Sequence, residues 1–273
     1  MEKILLAVDA AQPSISALDF ACYLGRLTKS PVTAVFLDNL AAALPVKHEM
    51  LAGESEPDEM KQHAEAAVKA EASMQLIREG CVNREVGYSF HRHHGVPVDE
   101  MLAESRFADV LVVDAETSFR EHFEGPPTDF VKDLLKKAEC PVFIAPQSLE
   151  AVEELVFAYN GSASCMFAIK QFTYLFPQLA GKKATIVMIN DSGKWEDVHK
   201  HSLSEWLKAH YNELHWVVRE GDSDASLFEY LFGRKKSLLV MGAYGRNALS
   251  RFFKRSTASL LIKTIAQPIF ITH

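Results

Sequence analysis

The chain has 273 residues, 48% hydrophobic and 24% charged, with 13 glycines, 11 prolines and a net charge of −7. That balance is ordinary for a globular protein and excludes collagen-like or linker-type chains. The acidic pI of 5.9 argues against a general nucleic-acid coat, which would be basic.

In chain order, the first apolar run is Lys3-Ile4-Leu5-Leu6-Ala7-Val8-Asp9. It reads as a buried strand, then a turn, then a helix over 14–28. The run from Met1 to Val8 is too short for a secretory signal before Asp9. A second strand follows at Val32-Thr33-Ala34-Val35-Phe36-Leu37-Asp38. The stretch 57–78, rich in Ala, Glu, Lys and Met, favours helix. His91-Arg92-His93-His94 falls at a candidate strand end, followed by a helix at 99–107, a strand at 109–113, a helix at 128–138 and a strand at 141–144.

The pattern then repeats. Glu154-Leu155-Val156-Phe157-Ala158-Tyr159-Asn160 matches the first strand, and 184–190, 237–241 and 268–271 match the others in the same order. Helical patterns at 164–176, 195–211, 225–233 and 257–265 lie between and around them. The first half carries extra residues around 41–74. Apolar strands alternating with helices imply βαβ units and a parallel sheet covered on both faces. Two units are expected, 1–147 and 152–273, each long enough for its own core. Their charges differ: 14 basic and 25 acidic residues in 1–150, against 15 basic and 11 acidic in 151–273. Such asymmetry points to different surfaces. No apolar run reaches the roughly 18–20 residues that span a bilayer. Cys22, Cys81, Cys140 and Cys165 form no CxxC pair, so buried free thiols in a reducing cytoplasm are expected.

In an open parallel sheet, ligands bind beyond the carboxyl ends of the strands, where the strand order switches. Asp9 and Asn160 follow the first strands, and Asp38 and Asn190 end the second. After the later strand of each half stand Asp114-Ala115-Glu116-Thr117 and Gly242-Ala243-Tyr244-Gly245. The second loop continues through Arg246, Arg251, Lys254 and Arg255 to Ser256 and Thr257. Its glycines let backbone N–H groups approach a ligand, its cations suit a polyphosphate, and its hydroxyls can cap a helix or bind phosphate.

This loop resembles the G-x2-G-x9-G-(S/T) nucleotide motif of the universal stress protein family. Asp9 with its strand, the 109–113 strand and the two Pro-led final strands are similar to that family as well. The resemblance covers nearly the whole chain as two tandem copies. It implies two five-stranded parallel-sheet α/β domains of the adenine-nucleotide α-hydrolase-like, Rossmann-like class. It also implies that the final strands pair across a pseudo-twofold axis, imitating a homodimer within one chain. Whether two chains then form a homodimer is left open.

Carried over position by position, the resemblance implies an ATP or AMP site in the second copy. It would be formed by Asn160, Ile189, Met241, Gly242, Gly245, Arg255, Ser256 and Thr257, with no metal beyond nucleotide-associated magnesium. Gly242, Gly245 and Ser256 match the motif. Arg255 stands where the third glycine belongs, and either contacts phosphate or closes the pocket with its bulk. Asn160 replaces the aspartate with a neutral hydrogen-bonding group. In the first copy Asp9 is kept, but Asp114 and Thr117 replace the glycines and Pro127-Thr128 stand at the Arg255-Ser256 positions. Asp9, Asp114, Thr117 and Thr128 therefore mark a degenerate site that is not expected to bind ATP.

His91 and His93, at period two, point to one face as zinc ligands would. With no cysteine nearby and a third ligand needed from a remote Asp or His, solvated loop histidines are the expected reading. The Arg246–Arg255 run is not expected to bind nucleic acid in a chain of negative net charge. The function expected is a stress-response sensor or regulator acting through conformation or protein partners, and not an enzyme. A scaffold with two degenerate copies is the alternative, and slow ATP hydrolysis a more remote one. HxGH, SGGxDS and HExxH signatures are missing from the sequence.

Overall fold

The computed structural model describes residues 1–38, 56–120, 122–195, 199–221, 223–242 and 267–272, with the backbone course alone for 56–63 and 223–224. The first half runs β1 (Ile4–Asp9), α1 (Ile15–Thr28), β2 (Val32–Leu37), α2 (Glu56–Asn83), β3 (Tyr88–His93), α3 (Pro97–Ser105), β4 (Val110–Val113), α4 (Asp129–Lys137) and β5 (Val142–Ile144). The second runs β6 (Glu154–Tyr159), α5 (Ala163–Leu175), β7 (Lys183–Asn190), α6 (Lys200–Lys208), β8 (Leu214–Glu220), α7 (Ser223–Leu231), β9 (Ser237–Gly242) and β10 (Ile269–Thr272).

All ten strands join one sheet, in the order β3-β2-β1-β4-β5-β10-β9-β6-β7-β8. Every pairing is parallel except the central one. There β5 meets β10 antiparallel, with Ile269 opposite Ile144, Phe270 opposite Phe143 and Ile271 opposite Val142. That register is symmetric about the Phe143–Phe270 pair, so the final strands pair across a local twofold axis as expected. The pairing covers two apolar edges at once. The two rings meet edge to face at 5.0 Å, and Phe20, Phe172 and Phe176 pack around them.

Strand residues alternate between two cores. Ile4, Leu6, Val8 and Phe36 face the layer containing α1, α2, α5 and α6. Leu5, Ala7, Val35 and Leu37 face α3, α4 and α7. The result is a sheet whose eight inner strands are buried on both faces, which is why they read as apolar runs rather than alternating ones, while the edge strands β3 and β8 are only partly buried. Helix starts follow local chemistry. Ser14 caps α1 by accepting the Ala17 N–H at 3.2 Å. Ser162 caps α5 at the Cys165 N–H, 3.3 Å away. α3 starts on Pro97 with Asp99 and Glu100 in its first turn.

The helix expected over 195–211 is shorter, Lys200–Lys208. Trp195 instead stacks on Tyr159, rings 7° from parallel at 5.8 Å. The helix expected over 257–265 lies outside the described residues. All four cysteines are buried thiols, with the Cys22 and Cys81 sulfurs 3.9 Å apart between α1 and α2. Among the described residues no helix is long and apolar enough to cross a membrane.

Candidate functional site

The strand order switches twice, between β1 and β4 and between β6 and β9. At each switch the connections leave in opposite directions, which opens a crevice beyond the strand ends. Asp9 and Asp114 flank the first crevice, and Asn160 and Gly242 the second. These four predicted site residues are therefore brought to equivalent places.

The first crevice is filled by the protein's own anions. Asp114 Oδ2 accepts hydrogen bonds from the Ser14 hydroxyl and, at 3.3 Å, from the Ser16 hydroxyl. Its Oδ1 accepts the Glu116 N–H at 2.8 Å. A carboxylate thus sits at the start of α1, where the positive end of a helix favours an anion. The same happens at α4. Thr128 is buried, donates its hydroxyl proton to the Thr117 carbonyl and accepts the Val131 N–H at 3.3 Å. Glu124 Oε1 accepts the Asp129 N–H at 3.5 Å, and Arg120 bridges Glu124 and Asp129.

Asp9 closes the turn by accepting the Ala11 N–H at 2.8 Å. Burial pushes its carboxyl above the ordinary value. Backbone hydrogen bonds from Ala11 and Gln12 work against that shift, and the nearby Asp38 charge adds to it. A triphosphate entering here would meet the carboxylates of Asp9 and Asp114.

The second crevice is built differently. Asn160 is exposed, and its Oδ1 accepts the Ser162 N–H and the Cys165 thiol, each at 3.0 Å. The side-chain oxygen expected to hydrogen-bond a nucleotide thus already holds the turn into α5. At Gly242 a Cβ would lie 2.5 Å from both the carbonyl and hydroxyl oxygens of Ser164. Glycine is therefore demanded by the approach of α5 as well as by any ligand. Met241 is buried beside it, and Ile189 is half-buried near the end of β7. Gly245, Arg255, Ser256 and Thr257 lie outside the described residues.

An aromatic group escaped the sequence reading. Trp195 lies between Tyr159 at the end of β6 and Trp216 on β8. Lys200 Nζ stands 5.1 and 5.5 Å above the two indoles. The Trp195 Nε1 is buried with no hydrogen-bond partner among the described residues. Period-3.6 reasoning puts Trp195 at the start of a helix over 195–211, and nothing in the linear pattern pairs it with Trp216 or Tyr159.

The histidines also differ from expectation. His91 and His93 lie within β3, not on the loop after it, and are half-buried against α3. His91 Nδ1 is 2.7 Å and His93 Nε2 3.1 Å from Glu104 Oε1. Burial alone would raise the Glu104 carboxyl. Hydrogen bonds from His91 and His93, with the charges of His91 and Lys3, overcome it and hold the group below its ordinary value. Beside this group, Arg92 Nε and His94 Nδ1 pair with Asp38 at 2.9 and 3.1 Å.

Sheet order and crevices define a doubly wound, Rossmann-like α/β protein. The model of the universal stress protein family matches residues 1–146, and the chain belongs to that family. It is similar to a universal stress protein of Synechocystis sp., 20% identical over 163 residues, which are 59% of this chain and 56% of that relative. The chain therefore spans little more than half the length of the curated relative it matches. Among solved structures it is similar to a universal stress protein from Archaeoglobus fulgidus DSM 4304. That likeness has a TM-score of 0.70 and 17% identity, and covers 99% of this chain and 95% of that one. A functionally unknown protein from Pseudomonas aeruginosa PAO1 matches with a TM-score of 0.55 and 15% identity, covering 100% and 92%. These likenesses bear on the fold.

Proposed function

We propose that the chain is a cytoplasmic stress-response regulator that binds one adenine nucleotide, ATP or AMP, at the β6/β9 crevice. In this reading 1–147 and 152–273 are two domains with divided roles. The second holds the ligand with Asn160, Ile189, Met241, Gly242, Gly245, Arg255, Ser256 and Thr257. The first binds no triphosphate, and signalling runs through conformation or a protein partner rather than through turnover. The observation that carries the reading is the contrast at one position. Asp114 occupies the first crevice with its own carboxylate, hydrogen-bonded to Ser14 and Ser16, whereas Gly242 brings no side chain to the second. The loop from Gly242 to Thr257 adds glycines, cations and hydroxyls suited to phosphates.

The test is mass spectrometry of small molecules released from freshly purified protein, with calorimetric titration of ATP and AMP. One nucleotide per chain is expected, weakened about tenfold or more by Gly245→Asp, which puts a carboxylate beside the phosphates; tenfold is about 1.4 kcal/mol. No released nucleotide, and no heat with ATP, ADP or AMP, would overturn the reading and leave two degenerate domains serving as a scaffold.

A further inference from the structure

β3 is an edge strand of the sheet, and two of its side chains point to the face that α3 covers. His91 and His93 project together because strand residues two apart share a face. They stand opposite Val35 and Leu37 of β2, whose side chains belong to the core on the α3 side. On α3, Glu100 and Glu104 are four residues apart and so lie on one helix face. Strand and helix thereby bring two imidazoles and two carboxylates together.

The hydrogen-bond count around His93 does not close with a neutral ring. Its Nδ1 is 2.9 Å from Glu100 Oε2 and its Nε2 is 3.1 Å from Glu104 Oε1. A neutral imidazole carries one N–H, so one of the two contacts would set a lone pair against a carboxylate oxygen. His91 Nδ1 converges on the same Glu104 Oε1, while the other carboxylate oxygen, Oε2, has Lys3 Nζ at 3.4 Å. A metal ion between the three converging atoms resolves this.

We propose that His91, His93 and Glu104 form a binding site for a divalent transition-metal ion of the zinc class, with Glu100 positioning His93. The three ligand atoms lie within 4.8 Å of one another. Zinc bonds of about 2.0–2.1 Å in a tetrahedron separate ligand atoms by about 3.3 Å. The observed 2.7 and 3.1 Å need only small side-chain opening to reach that. Two nitrogens and one carboxylate oxygen suit zinc, cobalt or nickel, and do not suit magnesium or calcium, which prefer oxygen cages. Glu100 accepting the Nδ1–H directs the Nε2 lone pair inward, the usual carboxylate–histidine–metal arrangement. The cluster is partly open, with His91 39% and Glu104 14% exposed, which leaves room for water as a further ligand. A bound ion would pin α3 to the sheet edge.

The test uses untagged, metal-stripped full chain titrated with zinc chloride by calorimetry and with cobalt chloride by visible absorption. One zinc per chain is expected, with the visible cobalt bands of a four- or five-coordinate site. Saturating zinc, at about a hundredfold excess over Kd, raises Tm by roughly 5 °C. Glu104→Gln and His93→Ala each weaken binding tenfold or more. Glu100→Gln, which leaves all three ligands in place, weakens it about 10- to 100-fold with an unchanged far-UV spectrum. Zinc bound equally by Glu104→Gln and by the His91→Ala/His93→Ala double variant would overturn the proposal, since other histidines would then hold it. Absence of zinc binding to the wild-type chain would overturn it too.

Discussion

After the later parallel strand of each crevice, β4 in the first half and β9 in the second, the halves meet the same helix start with opposite residues. In the first, Asp114 reaches Ser14 and Ser16 at the beginning of α1. In the second, Gly242 packs so tightly on Ser164 of α5 that a Cβ would lie 2.5 Å from its carbonyl oxygen. One half supplies an internal anion to the helix terminus, and the other brings strand and helix together with no side chain between. The comparison teaches that two halves of one fold can keep the same strand order and still differ at the crevice. Sheet register and the central junction tolerate little change, whereas the crevice can be filled without disturbing either.

The largest effects are expected where the halves are equivalent. Phe143→Ala and Phe270→Ala each remove a fully buried ring and should cost about 3–5 kcal/mol in denaturant unfolding. Because the rings touch, the double variant should cost less than the sum of the two. Strongly unequal single costs would break the pseudo-symmetry of the junction.

A smaller effect sharpens the contrast at the crevice. Gly242→Ala must push α5 away and should cost about 1–3 kcal/mol as overpacking. Asp114→Ala removes the acceptor for two hydroxyls and a helix-terminal anion, at about 1–2 kcal/mol. Thermal unfolding of both variants checks this, and a neutral Gly242→Ala would show that the helix approach is looser than described.

The smallest effect concerns Asp9 against Asn160, which occupy equivalent turns. Burial raises the Asp9 carboxyl, so the folded state disfavours its ionised form. The stability that comes from the neutral acid is present below the unfolded value, about 3.9, and is lost as pH rises through the higher folded value. Asp9→Asn copies the second half and should raise Tm at pH 7 while leaving it unchanged at pH 3. An equal shift at both pH values would show that charge is not the cause.

Much of this was legible from residue order. Most strand runs, the repeat and the Pro-led final strands announced themselves, and with them the sheet class, whereas the caps at Ser14 and Ser162 and the strand Leu214–Glu220 came only with the structure. The site was legible only as positions: Asp9, Asp114, Asn160 and Gly242 were expected at strand ends and lie there. What they do at those ends was not legible, because Asp114 meets Ser14 across a separation of 100 residues.

By itself the sequence determined most of the strands and helices and that they come twice, although its pattern showed no strand at Leu214–Glu220 and ran the helix Lys200–Lys208 too long. Apolar runs, caps and turn residues act within a few positions of the chain, so each segment carries its own signal. Only the tertiary structure decided which side chains meet. It took the order β3-β2-β1-β4 and the seating of α3 to place Glu104 against both His91 and His93. It took the path of the chain after β7 to lay Trp195 on Tyr159. Such meetings depend on how distant elements pack, and a linear pattern holds no record of which face of one element another will cover.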